Sequence, residues 1–475
     1  MNQSPIKMNL LLPLFLLSLL HCYNAKLSTT IGINYGQLGN NLPSPSRSIH
    51  LIQSLKAGFV KLYDANPKIL KALSKTKIQV SIMVPNELII NISSSQSLAD
   101  KWIQTNLIPF YPKTNIRYVL VGNEILSLWQ DPKIWRSLVP AMIKIQMSLK
   151  SHKLLNIKVS TPSAVDVLDS TLCVPPSNGT FRADISVSVV KPLLYFLNKT
   201  KSPFLIDLYP YFLWSANPKR FSLDYALFRG GNITYTDPVS KLSYTNLLDQ
   251  MIDSVIFAMR KLGFPDIQIL IAETGWPTAG DLDQIGANIY NAAIYNRNLV
   301  RKLSAQPAVG TPARPGSVIP AWIFALYNEN QKGGPTTERH WGLFYPNETQ
   351  VYKLTLAGRQ PGLAKSLPPP TNNLPYKGKI WCVVAKGMEK NSSEIEAALK
   401  YTCGAMKGIC DAIQPGKVCY RKGDLVELAS YAFNAYWVKT RSMLGGCYFN
   451  GLAVETVKDP SFGSCKFPSV TPSKM

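Results

Sequence analysis

Beyond an apolar run from Leu10 to Leu20, the 475-residue chain holds no stretch long and apolar enough to cross a bilayer, which argues against an integral membrane protein. Like charges never run to five in a row, although 51 Lys and Arg face 28 Asp and Glu for a formal net charge of +23. The basic excess is spread, not gathered into a stripe, and no nucleic-acid-binding motif accompanies it, so nucleic acid is not an expected partner. Such a charge instead suits loose retention on acidic polysaccharide. No glycine-rich phosphate loop follows the first strand candidate, which argues against an open doubly wound sheet. Cysteine is nearly missing from the first 380 residues, where only Cys22 and Cys173 occur; the other six lie from Cys382 to Cys465. That last stretch has no histidine and no Cys-x2-Cys pair, so zinc does not account for its cysteines.

What is present begins with Lys7 and the Leu10–Leu20 run, broken only by Pro13 and Ser18. Too short to span a membrane, it reads as a secretory signal peptide over residues 1–25, with small residues near Ala25 for cleavage. The tail after Cys465 has no apolar stretch, so no lipid anchor is expected. Hydrophobic residues at 46% against charged residues at 17% supply material for a large core and more than one domain. Glycosylation sequons begin at Asn91, Asn178, Asn198, Asn232, Asn347 and Asn391, as a secreted chain permits.

From Ile31 the chain alternates strand-like and helix-like segments, the pattern of a parallel α/β fold. The eight strand candidates are Ile31–Gly36, Gly58–Asp64, Ile78–Pro85, Ile116–Glu124, Ile157–Ala164, Phe204–Phe212, Ile267–Trp276 and Pro320–Asn330. Eight such units fit a TIM (β/α)8 barrel, whose strand ends form the catalytic face. In Ile269-Leu-Ile-Ala-Glu273-Thr-Gly-Trp276-Pro, an apolar strand delivers one carboxylate to that face. A lone Glu there is as well explained by a salt bridge, but Ile116-Arg-Tyr-Val-Leu-Val-Gly-Asn123-Glu124 delivers a second. Two strand-end carboxylates are what glycoside hydrolysis requires: one protonates the leaving oxygen while the other attacks the anomeric carbon or activates water. Tyr35, Tyr63, Tyr209 and Trp276 lie at strand ends where aromatic faces could stack on sugar rings, the alternative being that they merely cap the core.

Ile267–Gly280, with its Ala-Glu-Thr-Gly-Trp-Pro-Thr centre, resembles the signature of glycoside hydrolase family seventeen, the plant β-1,3-glucanases, and Val121-Gly-Asn-Glu124 resembles that family's acid/base motif. The resemblance runs from about Ile31 to Arg359. It implies retaining chemistry with Glu124 as acid/base and Glu273 as nucleophile, and Asn123 among the substrate-binding residues. Phe324-Ala-Leu-Tyr-Asn-Glu-Asn-Gln-Lys332 and Glu338-Arg-His-Trp-Gly-Leu-Phe344 resemble the last-strand motif, which places Glu329, Lys332 and Glu338 around the cleavage site. The chain departs from the family at Asn328, where Asp is usual, and at Asp207, where Asn is usual. Those departures bear on substrate preference and pH optimum more than on activity itself.

After a barrel expected over residues 26–360, Pro361 and Pro368-Pro-Pro370 mark an extended linker over 361–376. A six-cysteine module is expected over 377–468, then a tail over 469–475. Six cysteines in a small secreted module imply three disulfides, and the spacing alone leaves fifteen pairings open. Trp381-Cys382 through Ala429-Ser-Tyr-Ala-Phe-Asn-Ala-Tyr436-Trp437 to Cys465 is similar to carbohydrate-binding module family forty-three. That similarity implies binding to β-1,3-glucan and the pairs Cys382–Cys447, Cys403–Cys465 and Cys410–Cys419. Cys173 is left as a free thiol.

The combined expectation is a secreted, monomeric, endo-acting β-1,3-glucanase of the plant cell wall or apoplast, needing no metal or organic cofactor. Transglycosylation and non-catalytic glucan binding are the alternatives. The linker should keep contacts between the two parts few, so that the module acts as a tether to insoluble glucan.

Overall fold

A computed structural model describes residues 27–169, 174–357, 360, 367–441 and 445–472. The expected signal peptide, Cys173 and residues 361–366 of the expected linker lie outside these. Among the described residues no helix is long and apolar enough to cross a membrane.

Among the described residues nine parallel strands form one sheet: β1 (Ile31–Tyr35), β2 (Phe59–Leu62), β3 (Gln79–Val84), β4 (Ile116–Val121), β5 (Lys158–Ser160), β6 (Pro162–Ala164), β7 (Phe204–Asp207), β8 (Ile269–Thr274) and β9 (Ala321–Ile323). Their spatial order is β5-β4-β3-β2-β1-β9-β8-β7-β6. The two ends of that order are consecutive in the chain and separated only by Thr161, so the sheet curls into a barrel of eight units whose fifth strand is broken in the middle. Its first half pairs with β4 and its second with β7. The expected strand at Phe204–Phe212 stops at Asp207, because Pro210 opens a helix over Pro210–Ala216.

Alternation along each strand sorts side chains between two cores. Met83, Leu120, Leu205, Leu270, Ala272 and Trp322 fill the barrel interior, whereas Val60, Leu62, Val119, Val121 and Ile206 face the surrounding helices. Helix α1 (Pro132–Ser151) shows how that outer layer is specified. Asp131 caps it by accepting from the Lys133 N–H, Pro132 suits its first turn, and Ile134, Leu138, Ala141, Met142, Ile145 and Leu149 form its buried stripe. Helices α2 (Leu247–Lys261) and α3 (Ile289–Leu303) start in the same manner, with Asn246 and Asn288 as caps.

The C-terminal module is built on helix α4 (Ser392–Ala405), helix α5 (Leu425–Thr440) and an antiparallel pair, β10 (Trp381–Val384) with β11 (Ala453–Thr456). Cys382 pairs with Cys447, as the resemblance implies. The other two pairs differ from the expectation: Cys403 bonds to Cys410 and Cys419 to Cys465. After α4 ends, the chain turns back and brings Cys410 to a Cα distance of 5.3 Å from Cys403, while Cys465 comes to 4.8 Å from Cys419. Both separations suit a disulfide. Trp437 is 1% exposed and belongs to the module core.

The described part of the expected linker is not a free spacer. Asn372 and Asn373 accept from the side chains of Asn288 and Asn291 at 2.7–3.0 Å, the Asn372 carbonyl accepts from the Gly286 N–H, and the Asn372 amide donates to the Gln284 and Ala287 carbonyls.

Candidate active site

Strict alternation from Leu270 would point Ala272 into the barrel and Glu273 out toward the helices. A bulge intervenes: Ile271 is level with Ile206 on β7, but the next partners are Glu273 and Asp207. The extra residue shifts the phase, so Ala272 and Glu273 both face inward, and Thr274 turns out to bond Tyr295 at 2.6 Å. Glu273 then meets Lys61 on β2 and Tyr63 just past its end, two residues that share the inward face. Lys61 Nζ donates to Glu273 Oε1 at 2.7 Å, Tyr63 Oη to the same oxygen at 2.6 Å, and Tyr209 Oη to Oε2 at 2.7 Å. Burial pushes this carboxyl up, but the charge of Lys61 and the three donors prevail and hold it below the usual carboxylate range.

Glu124 reaches the same mouth differently. Beyond β4 the backbone is left-handed at Gly122 (φ 70°) and at Glu124 itself (φ 51°), a conformation that costs a non-glycine residue energy and must be imposed by its surroundings. The Glu124 N–H donates to the Pro162 carbonyl at 3.1 Å, and Asn86 brackets Asn123 by accepting from its N–H and donating to its carbonyl. Burial, together with the charge of Glu273, raises Glu124 to about 8. Of two carboxyls lining one cleft, one is thus kept ionised and the other protonated.

A family model for glycosyl hydrolases family 17 matches residues 31–356, which contain both groups. The chain belongs to that family. A second family model, the X8 domain, matches residues 380–454. An Arabidopsis thaliana protein named "Probable glucan endo-1,3-beta-glucosidase A6" is 53% identical over 446 residues, which span 94% of this chain and 92% of that one. Glucan endo-1,3-beta-glucosidase 13 of the same plant is 37% identical over 448 residues, 94% of this chain and 85% of its own length. Among solved structures, CJP38, a beta-1,3-glucanase and allergen of Cryptomeria japonica pollen, is similar with a TM-score of 0.65 and 42% identity, over 69% of this chain and 99% of that one.

Within this family 17 barrel, Tyr63, Asn123, Tyr209, Glu329, Lys332 and Glu338 all line the cleft with the two carboxyls. Asn123 Oδ1 accepts from Lys61 at 3.1 Å, Lys332 lies 3.5 Å from Glu338 and over the ring of Phe324, and Glu329 accepts the Leu38 N–H at 2.8 Å. Gly36 makes room for Glu329, since a Cβ there would sit 2.4 Å from its carboxylate oxygens. Two expected sugar contacts are elsewhere. Tyr35 is 3% exposed and points to the helix side, donating to Ser48, because Asn34 beside it takes the inward position and bonds the Ala272 carbonyl. Trp276 is fully buried, donates to the Gly286 carbonyl and packs among Tyr211, Trp214 and Tyr295. Both are core residues.

Three residues of the site escaped the sequence reading. Lys61, fully buried, was legible as a lone charge inside Phe-Val-Lys-Leu-Tyr, two residues from Tyr63 and therefore on its face. Trp129, 62% exposed and lining the same cleft, gives no local signal. Asp207 was noted only as a departure; it faces the cleft beside Glu273 at 2% exposure, and neither of its oxygens has a hydrogen-bond partner among the described residues. Burial and the charge of Glu273 raise it well above the usual range.

Proposed function

We propose that this protein is a retaining endo-β-1,3-glucanase that cleaves callose-type β-1,3-glucan of the plant cell wall. The observation that carries the reading is geometric: Glu273, held by Lys61, Tyr63 and Tyr209, shares one cleft of a family 17 barrel with Glu124, and the shifts of the two carboxyls in opposite directions agree with it. Glu273, ionised and oriented by Lys61, Tyr63 and Tyr209, attacks the anomeric carbon. Glu124 gives its proton to the departing glycosidic oxygen, then removes a proton from the water that releases the glycosyl enzyme. The relatives named as glucan endo-1,3-beta-glucosidases support β-1,3-glucan as the substrate. Trp129, both carboxyls and the module residues Arg441 and Glu455 line one cleft, which supports a polymeric substrate. Three disulfides in the module accord with an extracellular location.

The test is digestion of linear β-1,3-glucan, following product lengths and the anomeric configuration of new ends. Wild type should release internal fragments with retained configuration. Glu273→Gln and Glu124→Gln should each lose most turnover while staying folded, since acid–base assistance alone is worth about 10²–10⁴-fold. Near-wild-type turnover in either variant would sink the assignment.

A further inference from the structure

The cavity that holds Glu124 and Glu273, about 1230 Å³, does not end at the barrel: Arg441, Gly445, Gly446 and Glu455 of the module line the same continuous space. The module reaches it by standing on two loops of the catalytic face. One follows β8, the strand that carries Glu273. There Arg441 donates to Asp283, with both side chains 14% exposed, and Glu455 Oε2 accepts the Leu282 N–H at 2.8 Å. The other follows β9 and carries Lys332 and Glu338. On it the guanidinium of Arg339 lies 3.4 Å from the ring centre of Tyr448, whose hydroxyl donates to the Asn330 carbonyl at 3.4 Å. Gly446 comes so near this loop that a Cβ would sit 2.5 Å from the Gly334 carbonyl oxygen. Asn372 and Asn373 hold the chain just before the module to the start of α3, so the module is fixed at its entry as well.

A freely swinging tether would need none of these contacts. Glu455 adds a sign of a ligand: its second oxygen, Oε1, is buried and has no hydrogen-bond partner among the described residues. Such a group costs free energy unless something arrives to satisfy it, and the cavity it borders is the one that opens over the catalytic carboxyls.

Resting on the reading of the barrel as a β-1,3-glucan hydrolase, we propose that the module is a fixed wall of the glucan groove. A chain seated across Glu124 and Glu273 runs on to Glu455, which bonds a hydroxyl of a glucose unit remote from the cleaved bond. Arg441 is a positioning residue that holds this wall to Asp283. Because the wall is assembled before substrate arrives, its contact helps long glucans and not short ones. Burial and the nearby carboxylates Asp283 and Asp281 raise Glu455 to about 9, so in an acidic wall it carries a proton and can donate as well as accept.

The test uses the full chain and soluble β-1,3-gluco-oligosaccharides from trimer upward, with kcat/KM measured at each length. Glu455→Ala, Arg441→Asp and Asp283→Arg should each lower the ratio of kcat/KM for long over short oligosaccharides about tenfold, the factor that ~1.4 kcal/mol of lost contact gives. The charge-swapped double variant Asp283→Arg/Arg441→Asp should recover most of that ratio. A lowered Tm with an unchanged ratio in all three single variants would overturn the inference, as would failure of the swap to restore it. Were wild type inactive on β-1,3-glucan of every length, the functional reading would fall instead, so the two failures are distinguishable.

Discussion

Lys61 favours the charged form of Glu273 over that of Glu124, the two carboxyls proposed to be catalytic, because its buried side chain bonds Glu273. Activity should fall on the acid side as Glu273 protonates and on the alkaline side as Glu124, raised to about 8, loses the proton it must deliver. Lys61→Met removes the main influence that lowers Glu273, so the acid limb of the kcat/KM profile should move to higher pH. An acid limb that stays in place would show that Lys61 does not set the nucleophile's ionisation. Asp207 works the other way on stability. Its folded-state pKa is raised, so its contribution is fully present below the unfolded value of about 3.9 and is lost as pH rises toward the folded value. Asp207→Asn is free of that loss, and its Tm should gain on wild type between pH 4 and pH 8. A Tm difference that is constant over this range would mean that Asp207 ionises in the fold as readily as in the unfolded chain.

At the scale of elements, one bulge does what no single residue could. Without the extra residue between Ile271 and Glu273, the nucleophile candidate would face the helix layer, and its three donors would have nothing to hold. The sequence shows the apolar run and the carboxylate at its end, but a one-residue change of phase depends on how β7 pairs with β8 and leaves no local mark. The module's disulfides are the same kind of case. Composition indicates three bridges, yet the pairing follows from where α4 ends and the chain turns. Loop size then ranks them. Cys403–Cys410 closes 7 residues and Cys419–Cys465 closes 46, so removing the first should cost about 2 kcal/mol and the second about 4 by the chain-entropy relation. Peptide mapping of the unreduced protein should recover those pairs, and denaturant titration of paired Cys→Ser variants should give that order. A mapped Cys403–Cys465 bridge would contradict the fold described for the module.

For the whole molecule, the formal charge of +23 predicts binding to an acidic polysaccharide that is independent of catalysis. On a polygalacturonate support the protein should be retained at low salt and released as ionic strength passes about 0.1 M, where the Debye length is about 10 Å. Glu273→Gln should elute with wild type; retention that persists at high salt would point to specific recognition instead. The barrel, the two carboxyls that share its cleft and the six-cysteine module were all legible in the chain, because alternating strands and helices, strand-end Glu residues and cysteine density are local patterns. Tertiary structure decided what depends on residues far apart. It buried Trp276 and Tyr35, whose strand-end positions resemble those of Tyr63 and Tyr209 but whose side chains fall on the helix side. It brought Lys61 to Glu273 across 212 positions, and it set the module on the loops beside the cleft, where the proline-rich sequence suggested only a spacer. Those outcomes rest on strand phase and on long-range packing, which no window of neighbouring residues contains.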